Sequence, residues 1–253
     1  MPLERVDIGG VPVDILPPDG LEAAMLELLA KDKPAQIVFL SVWGLLKARK
    51  KNTYAQCVKN ADMVIPVSKS IVKGAAFLGY PRVYRYEPFE TVVSMLTILE
   101  RYGKSLYLLG GTKKTVLSAE RNVRVTYPDL PVVGRYFGRY HKRMEQDIRA
   151  AVYKSAPSLV LLSSGVCDGD CWFYTRREHF RKSIFVYYKD AIPIFAEKKK
   201  HISKAVFEKG SEIYGEIIRN PLKIFSFFSY LHYWYILLRQ RSYMKKQTAY
   251  VQR

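Results

Sequence analysis

The sequence predicts an α/β domain, a mostly parallel sheet flanked by helices. Three observations carry that prediction. Short runs rich in Val, Ile, Leu, Phe and Tyr alternate with helically spaced segments of about ten to fifteen residues, the pattern of βαβ units. Glycine pairs and prolines punctuate the runs where turns belong. Apolar residues make up 49% of the chain and charged residues 25%, which suits a packed core and excludes disorder or a low-complexity array. At 253 residues the chain exceeds the usual domain length of ~150 but fits one large α/β domain.

Taken in order, Val6–Leu16 (VDIGGVPVDIL) reads as a hairpin, with Gly9-Gly10 supplying the positive φ angles of a tight turn. Residues 20–31 form a short helix with Leu21, Met25, Leu28 and Leu29 on one face. Residues 36–42 (QIVFLSV) are a buried strand, and 43–60 one basic helix. DMVIP, stopped by Pro66, is a short strand, followed by helices over 69–78 and 89–102. SLYLLGG (105–111) is a strand running into a glycine pair, with a helix over 113–126. PVVGRYF is a strand, 141–155 a helix, SLVLLSSG a strand and 171–181 a helix. SIFVYY and AIPIFA read as two further strands. An amphipathic helix over 204–219 follows. Asn220-Pro221 then resembles an N-cap and a first-turn proline opening an aromatic helix.

Parallel sheets of this kind bind ligands beyond the carboxyl ends of their strands. That rule puts SVW, PVSKS, GGTKK, GRYFG and SSGVCDGD on one rim. Lys+Arg 41 against Asp+Glu 23 gives a net charge of +18, favouring phosphates, anionic lipid heads or nucleic acid. No nucleic-acid module is recognisable. Three cysteines make no secreted disulfide framework, and the opening MPLERVDIGG lacks a signal-peptide pattern. A cytoplasmic protein is expected.

The composition shifts near Lys198. From there onward 12 basic and 3 acidic residues give +9, so residues 198–253 are expected to be an appendage to a domain over 1–197. Within it, LKIFSFFSYLHYWYILL is 17 residues long, too short and too polar for a confident span. Aromatic rings beside Lys and Arg instead suit a membrane interface. Lys223, Trp234, Arg239 and Arg241 are the expected membrane contacts.

LLGGTKKT is a strand, a Gly-Gly pair and a helix. Such a turn lets backbone amides approach a phosphate at a helix N-terminus, with Lys113 and Lys114 adding charge. It is neither a P-loop nor a GxGxxG fingerprint. Gly110, Gly111 and Thr112 are the candidate phosphate-binding residues. CDGDC (167–171) gathers two thiols and two carboxylates, but lacks the spacing and the His of a zinc site. It reads as a polar βα loop. His141, His179, His201 and His232 make no catalytic spacing.

The order of these segments resembles the WecG/TagA/CpsF glycosyltransferase family over nearly the whole chain. The opening hairpin, IVFLSVWGLLKARKK, NADMVIP, LYLLGGTKKTV, YPDLPVVGRYFGRY, SLVLLSSG followed by Trp172, and GSEIYGEIIRNP are each similar to a family segment. The resemblance implies a Rossmann-like fold and transfer of an N-acetylmannosamine-type sugar from a UDP donor to a polyprenyl-diphosphate-linked acceptor. It places that reaction at the cytoplasmic membrane face, without a metal or other cofactor. A C-terminal appendage closes the site and meets the membrane. Arg85, Glu90, Gly165 and Trp172 fall on retained positions. Asp170 stands in place of a family Glu, and His201 falls where the appendage's arginine is expected beside the donor diphosphate.

Other positions depart from the family. Val67 and Ser68 replace the Asp and Gly of its LPDG segment, and that Asp is the expected general base. Ser41 replaces an Asn, and Gly169 a Gln. A valine takes no proton from a sugar hydroxyl. Another carboxylate therefore carries the role, or the chain is a catalytically inactive relative serving as a membrane-bound binding or scaffolding protein. Glu87, Glu90, Asp168 and Asp170 are the candidates, with Asp170 or Glu90 preferred and Arg85 as helper. Possible homo-oligomer formation is left open.

Overall fold

The computed structural model describes residues 3–201, 207–208 and 225–251, and the side chains within these except at 225–227 and 248–251. It opens with the expected hairpin, β1 (Glu4–Ile8) antiparallel to β2 (Val11–Ile15). Gly9 and Gly10 turn at φ 65° and 84°, the left-handed pair that a two-residue turn requires. Then come α1 (Leu21–Ala30), β3 (Ala35–Leu40), α2 (Val42–Ala48), α3 (Thr53–Lys59), β4 (Met63–Pro66), α4 (Lys69–Leu78), α5 (Pro88–Arg101), β5 (Leu106–Leu109), α6 (Lys113–Thr126) and β6 (Val132–Tyr136). After them follow α7 (Glu145–Ser155), β7 (Leu159–Leu162), α8 (Cys171–Tyr174), β8 (Ile184–Tyr187), α9 (Ala191–Phe195) and a long C-terminal helix, α10 (Phe225–Val251).

β3 to β8 form one six-stranded sheet in the order β4-β3-β8-β7-β5-β6, parallel throughout. Its central strands are buried on both sides, which explains their unbroken apolar runs. Alternate residues feed two layers. On one face Ile37, Met63, Leu108, Leu161 and Val186 pack with α1, α5, α6 and α9. On the other, Val38, Leu40 and Val64 pack with the hairpin, α2, α3, α4 and α10, while Val160, Leu162 and Phe185 pack with α7 and α8. The architecture is Rossmann-like. Asp14, buried in the hairpin, ties that unit to the sheet: it pairs with Arg5 at 2.6 Å and accepts from the Val64 amide at 2.6 Å.

Three expectations are corrected. The basic segment 43–60 is two helices, because Asn52 breaks it. Its side chain caps α3 by accepting from the Ala55 amide at 2.8 Å and donates to the Lys47 carbonyl at 2.9 Å, as Asn prefers at an N-cap. AIPIFA is not a strand but α9; Pro193 sits in its first turn, where a missing N–H leaves nothing unpaired. The helix expected over 171–181 stops at Tyr174 and gives way to a 3₁₀ turn at Arg177–His179. The helix expected over 204–219 and its Asn220-Pro221 boundary lie outside the described residues, as does Lys223.

α10 lies on α4 and the hairpin. Tyr233 and Leu237 are fully buried, and the Gln240 side chain accepts from the Gly9 amide at 2.7 Å and donates to the Asp7 carbonyl at 3.0 Å. Among the described residues, no helix is long and apolar enough to cross a membrane.

Candidate functional site

Every strand of the sheet ends on the same rim, so the βα turns gather there. Val67 follows β4 directly, and its amide donates to the Leu40 carbonyl at 3.0 Å. The stretch Arg85–Glu87 runs beside it. Tyr86 donates its amide to the Pro66 carbonyl at 3.0 Å, and Arg85 Nε donates to the Val67 carbonyl at 2.9 Å. The Arg85 guanidinium also donates to the Phe207 carbonyl at 2.5 Å and lies 3.6 Å over the Phe207 ring. Residues just past the proposed domain boundary thus reach the rim.

Glu87 is the N-cap of α5, because Pro88 at the first helical position sets the helix start one residue after it. Its Oε2 accepts from the Glu90 amide at 2.6 Å. Its Oε1 is buried with no hydrogen-bond partner among the described residues. Burial pushes the Glu87 carboxyl above its usual range, opposed by the Glu90 amide bond and, more weakly, by nearby His201. His201 stacks on Phe89 at 5.8 Å, and Phe89 contacts Phe195 at 5.0 Å. Arg85, Glu87 and Glu90 line one groove of about 490 Å³ along α1 and α5, with Glu90 exposed at its edge.

Asp170 is elsewhere. Its carbonyl accepts from Gln36 Nε2 at 2.6 Å, near the start of β3, and from the Cys57 thiol at 3.3 Å. Asp170 therefore sits on the α2–α3 face rather than on the outer rim. Burial raises its carboxyl to about 6, with Lys47 pulling it down. Its charge is felt by Tyr187, whereas that of Glu87 is felt by Tyr188. These neighbours on one extended chain point to opposite faces. The two carboxylates preferred from the sequence, Asp170 and Glu90, are not brought together. Asp168, another candidate, is held by Arg176 at 2.9 Å.

The glycine pair is at the rim, but its geometry corrects the expected role of its amides. The Gly110 amide donates to the Tyr136 carbonyl at 3.0 Å and the Gly111 amide to the Ser164 carbonyl at 2.6 Å. Both are used inside the fold. A Cβ on Gly110 would lie 2.8–2.9 Å from Ser163, so this glycine lets β5 and β7 approach closely. The anion-binding feature left over is the first turn of α6. Thr112 caps it, accepting from the Thr115 amide at 3.2 Å, and exposed Lys113 and Lys114 begin it. Gly165, at φ 88°, closes the neighbouring loop against Arg139. The CDGDC thiols part company: Cys167 lies near Arg176 and Tyr140, and Cys171 faces Cys57. Glu87 is one of the sequence's candidate carboxylates, behind Asp170 and Glu90. The Glu-Pro step at a helix start was the signal that it is fixed in place.

The comparisons agree with this architecture. The model of the glycosyl transferase WecG/TagA/CpsF family matches residues 6–247. The chain belongs to this family. Curated relatives include the N-acetylglucosaminyldiphosphoundecaprenol N-acetyl-beta-D-mannosaminyltransferases of Staphylococcus aureus strains NCTC 8325 / PS 47, COL and N315. Each is 20% identical over 150 residues, covering 58% of this chain and 57% of the relative. The match thus spans little more than half the length of those curated relatives.

Proposed function

We propose that this chain transfers an N-acetylhexosamine-type sugar, N-acetylmannosamine-like, from a UDP donor to a polyprenyl-diphosphate-linked sugar in cell-surface polysaccharide or glycolipid synthesis. The observation that carries the reading is family membership over residues 6–247, joined to a rim that holds a poised carboxylate and cations.

In an inverting transfer the acceptor hydroxyl attacks the anomeric carbon as the bond to the UDP oxygen breaks. A base takes the hydroxyl proton, and cations meet the charge growing on the leaving diphosphate. Glu87 fits the base better than Glu90 or Asp170. It follows the stretch that bonds to Pro66 and Val67, it has a buried oxygen without a partner among the described residues, and burial raises its proton affinity, which suits a base working near neutral pH. The diphosphate falls to the N-terminal turn of α6, with Thr112, Lys113 and Lys114, where the helix dipole favours anions. Arg85 and His201 help from the opposite side, and Gly110, Gly111 and Gly165 shape the floor.

Residues 198–253 form the membrane-associating appendage of a catalytic domain over 1–197, peripheral on the inner face of the cell membrane. The supporting observation is the outer side of α10: Phe228, Leu231, Tyr235 and Leu238 are 67%, 50%, 60% and 55% exposed, and Arg239, Lys245 and Lys246 follow them. Rings and cations in that order suit a lipid interface. Trp234 and Arg241 instead pack on Phe77.

The second reading, a non-catalytic membrane-bound binding protein, rests on Val67. Its carbonyl is occupied by Arg85, and its side chain offers no base. Calorimetric titration with UDP and UDP-sugars, then an assay of UDP release with a polyprenyl-linked acceptor, separates the two. Turnover supports the transferase, and binding without turnover supports the binding protein.

A further inference from the structure

The CDGDC motif and the buried Cys57 have no part in the proposed transfer, yet the fold brings them to one place. Gln36 does this. It lies near the start of β3 and is only 4% exposed, so its side-chain amide has to find partners inside the protein. Its Nε2 donates to the Asp170 carbonyl at 2.6 Å and to the Cys57 sulfur at 3.3 Å. The Cys57 thiol lies 3.3 Å from that same carbonyl. The next residue, Cys171, opens α8, and its thiol faces that of Cys57 within hydrogen-bonding reach. Two thiols 114 residues apart in the chain thus meet between α3 and α8. Cys57 has one S–H, which reaches either the Asp170 carbonyl or the Cys171 sulfur.

The two sulfurs differ. Cys57 is fully buried and Cys171 is 8% exposed, so a small solute arriving from water meets Cys171 first. Contact with Cys171, and burial, hold the Cys57 thiol protonated, above the usual thiol range. The same contact draws Cys171 below that range against its own burial, with Lys47 helping. The thiolate is the nucleophilic form, so Cys171 is the sulfur that attacks and Cys57 the one that resolves. Cys167 is exposed and lies instead against Arg176 Nη2 at 3.4 Å and the Tyr140 hydroxyl at 3.8 Å.

We infer that Cys57 and Cys171 form a reversible disulfide when the folded protein meets hydrogen peroxide, tying α8 to α3. The Cys171 thiolate attacks one peroxide oxygen and the O–O bond breaks. Cys171 becomes a sulfenic acid, and the departing hydroxide takes up a proton. The Cys57 sulfur then attacks the Cys171 sulfur. The S–O bond breaks, the hydroxyl leaves as water with the Cys57 proton, and the S–S bond forms. Two thiols are oxidised by two electrons, and one peroxide is reduced to two waters. No buried polar group is stranded, because the Asp170 carbonyl loses the Cys57 donor but keeps Gln36. The turn leading to Cys171 holds Gly165, Asp168 and Gly169 in left-handed backbone, at φ 88°, 59° and 51°, so the link also fixes the far end of this rim turn. The pair lies on the opposite face from Glu87, and its chemistry does not depend on the transferase reading.

The test uses the full chain, reduced and then treated with hydrogen peroxide in native buffer. Free thiols are counted by alkylation after unfolding, and the link is located by peptide mass mapping. The count should fall from three to one, with two hydrogens lost between the peptides holding Cys57 and Cys171, and dithiothreitol should restore all three. The oxidised chain should melt at a higher temperature than the reduced one, because a bond closing a long loop restricts the unfolded chain. Cys167→Ser should keep the link, whereas Cys57→Ser and Cys171→Ser should each abolish it. Three free thiols after treatment, or oxidation of Cys167 with the other two still free, would overturn the proposal. So would a bond between Cys167 and Cys171, or a bond between Cys57 and Cys171 that forms only in urea and so belongs to the unfolded chain. An oxidised chain that melts no higher than the reduced one would overturn the tie between α3 and α8.

Discussion

The Tyr233 hydroxyl donates to the Ser70 carbonyl at 2.9 Å in a space that exists because residue 74 has no side chain. A Cβ on Gly74 would lie 2.1 Å from that hydroxyl and 2.7 Å from Leu237 Cδ1. Gly74→Ala should therefore push α10 off α4. Overpacking of this kind costs about 1–3 kcal/mol, while Tyr233→Phe, losing one hydrogen bond, should cost about 1 kcal/mol. Urea unfolding and protease susceptibility of the C-terminal helix check both; equal stability of Gly74→Ala and wild type would mean that α10 does not sit there.

Gly110 and the α6 turn should separate under mutation. Gly110→Val places a branched side chain against the Ser163 backbone at a φ of 151° and should lower the melting temperature or prevent folding. Lys113→Ala with Lys114→Ala, both exposed, should leave melting unchanged and weaken UDP about three- to ten-fold, since each contributes charge at a helix N-terminus. A cleanly folded Gly110→Val protein that has lost only UDP binding would return the amides of the glycine pair to the site.

The base is tested by Glu87→Gln, which keeps the cap on α5 through its amide oxygen but cannot take a proton. Turnover should fall about 10²–10⁴-fold, with UDP affinity retained. In the wild type, the raised Glu87 carboxyl should shift the acidic limb of the rate profile above the pH of an ordinary Glu. Val67→Asp adds a second carboxylate beside it. If Glu87 is the working base, the new charge should raise the Glu87 pKa further and slow turnover near neutrality rather than increase it.

Asp170 affects stability. Its carboxyl titrates near 6 in the folded chain, against about 3.9 when unfolded. The folded state therefore holds more protons between those values, so stability is greatest below about pH 4 and is lost as pH rises toward 6. The carboxyl is largely buried, and the gap between the two values corresponds to about 3 kcal/mol. Asp170→Asn should flatten this part of the stability profile, as read by urea midpoints at pH 4 and pH 7.

Membrane association should follow the outer side of α10. Leu231→Lys with Leu238→Lys should weaken binding to anionic vesicles about ten-fold or more, because each places a charge among rings meant for the interface, while leaving the fold intact. Trp234→Ala, which removes the contact with Phe77, should instead lower stability. The reverse pattern would turn the helix the other way.

Most of the architecture was legible from local pattern. The strands, the turn at Gly9-Gly10 and the bounds of α4 and α6 follow from apolar period and cap residues, which are properties of neighbouring residues in the chain. AIPIFA failed the same reading because a short apolar run has no period long enough to separate strand from buried helix. The split of 43–60 was missed because its apolar and basic spacing continues through Asn52, and only the cap geometry ends the helix.

The sequence by itself determined the family, the parallel α/β class and the rim on which the βα turns collect, since these depend on the order of segments. It also supplied the candidate residues. Which of them work together was a matter for the tertiary structure alone. Glu87 and Asp170 lie 83 residues apart in the chain, yet the alternation of Tyr187 and Tyr188, each of which senses one of them, assigns them to opposite faces. The amides of Gly110 and Gly111 look free in a sequence and are taken up by carbonyls of β6 and of the turn after β7. The inner and outer sides of α10 were undecided as well, because aromatic and basic residues surround that helix. Burial of Tyr233 and Leu237 settles which side of the helix faces the protein.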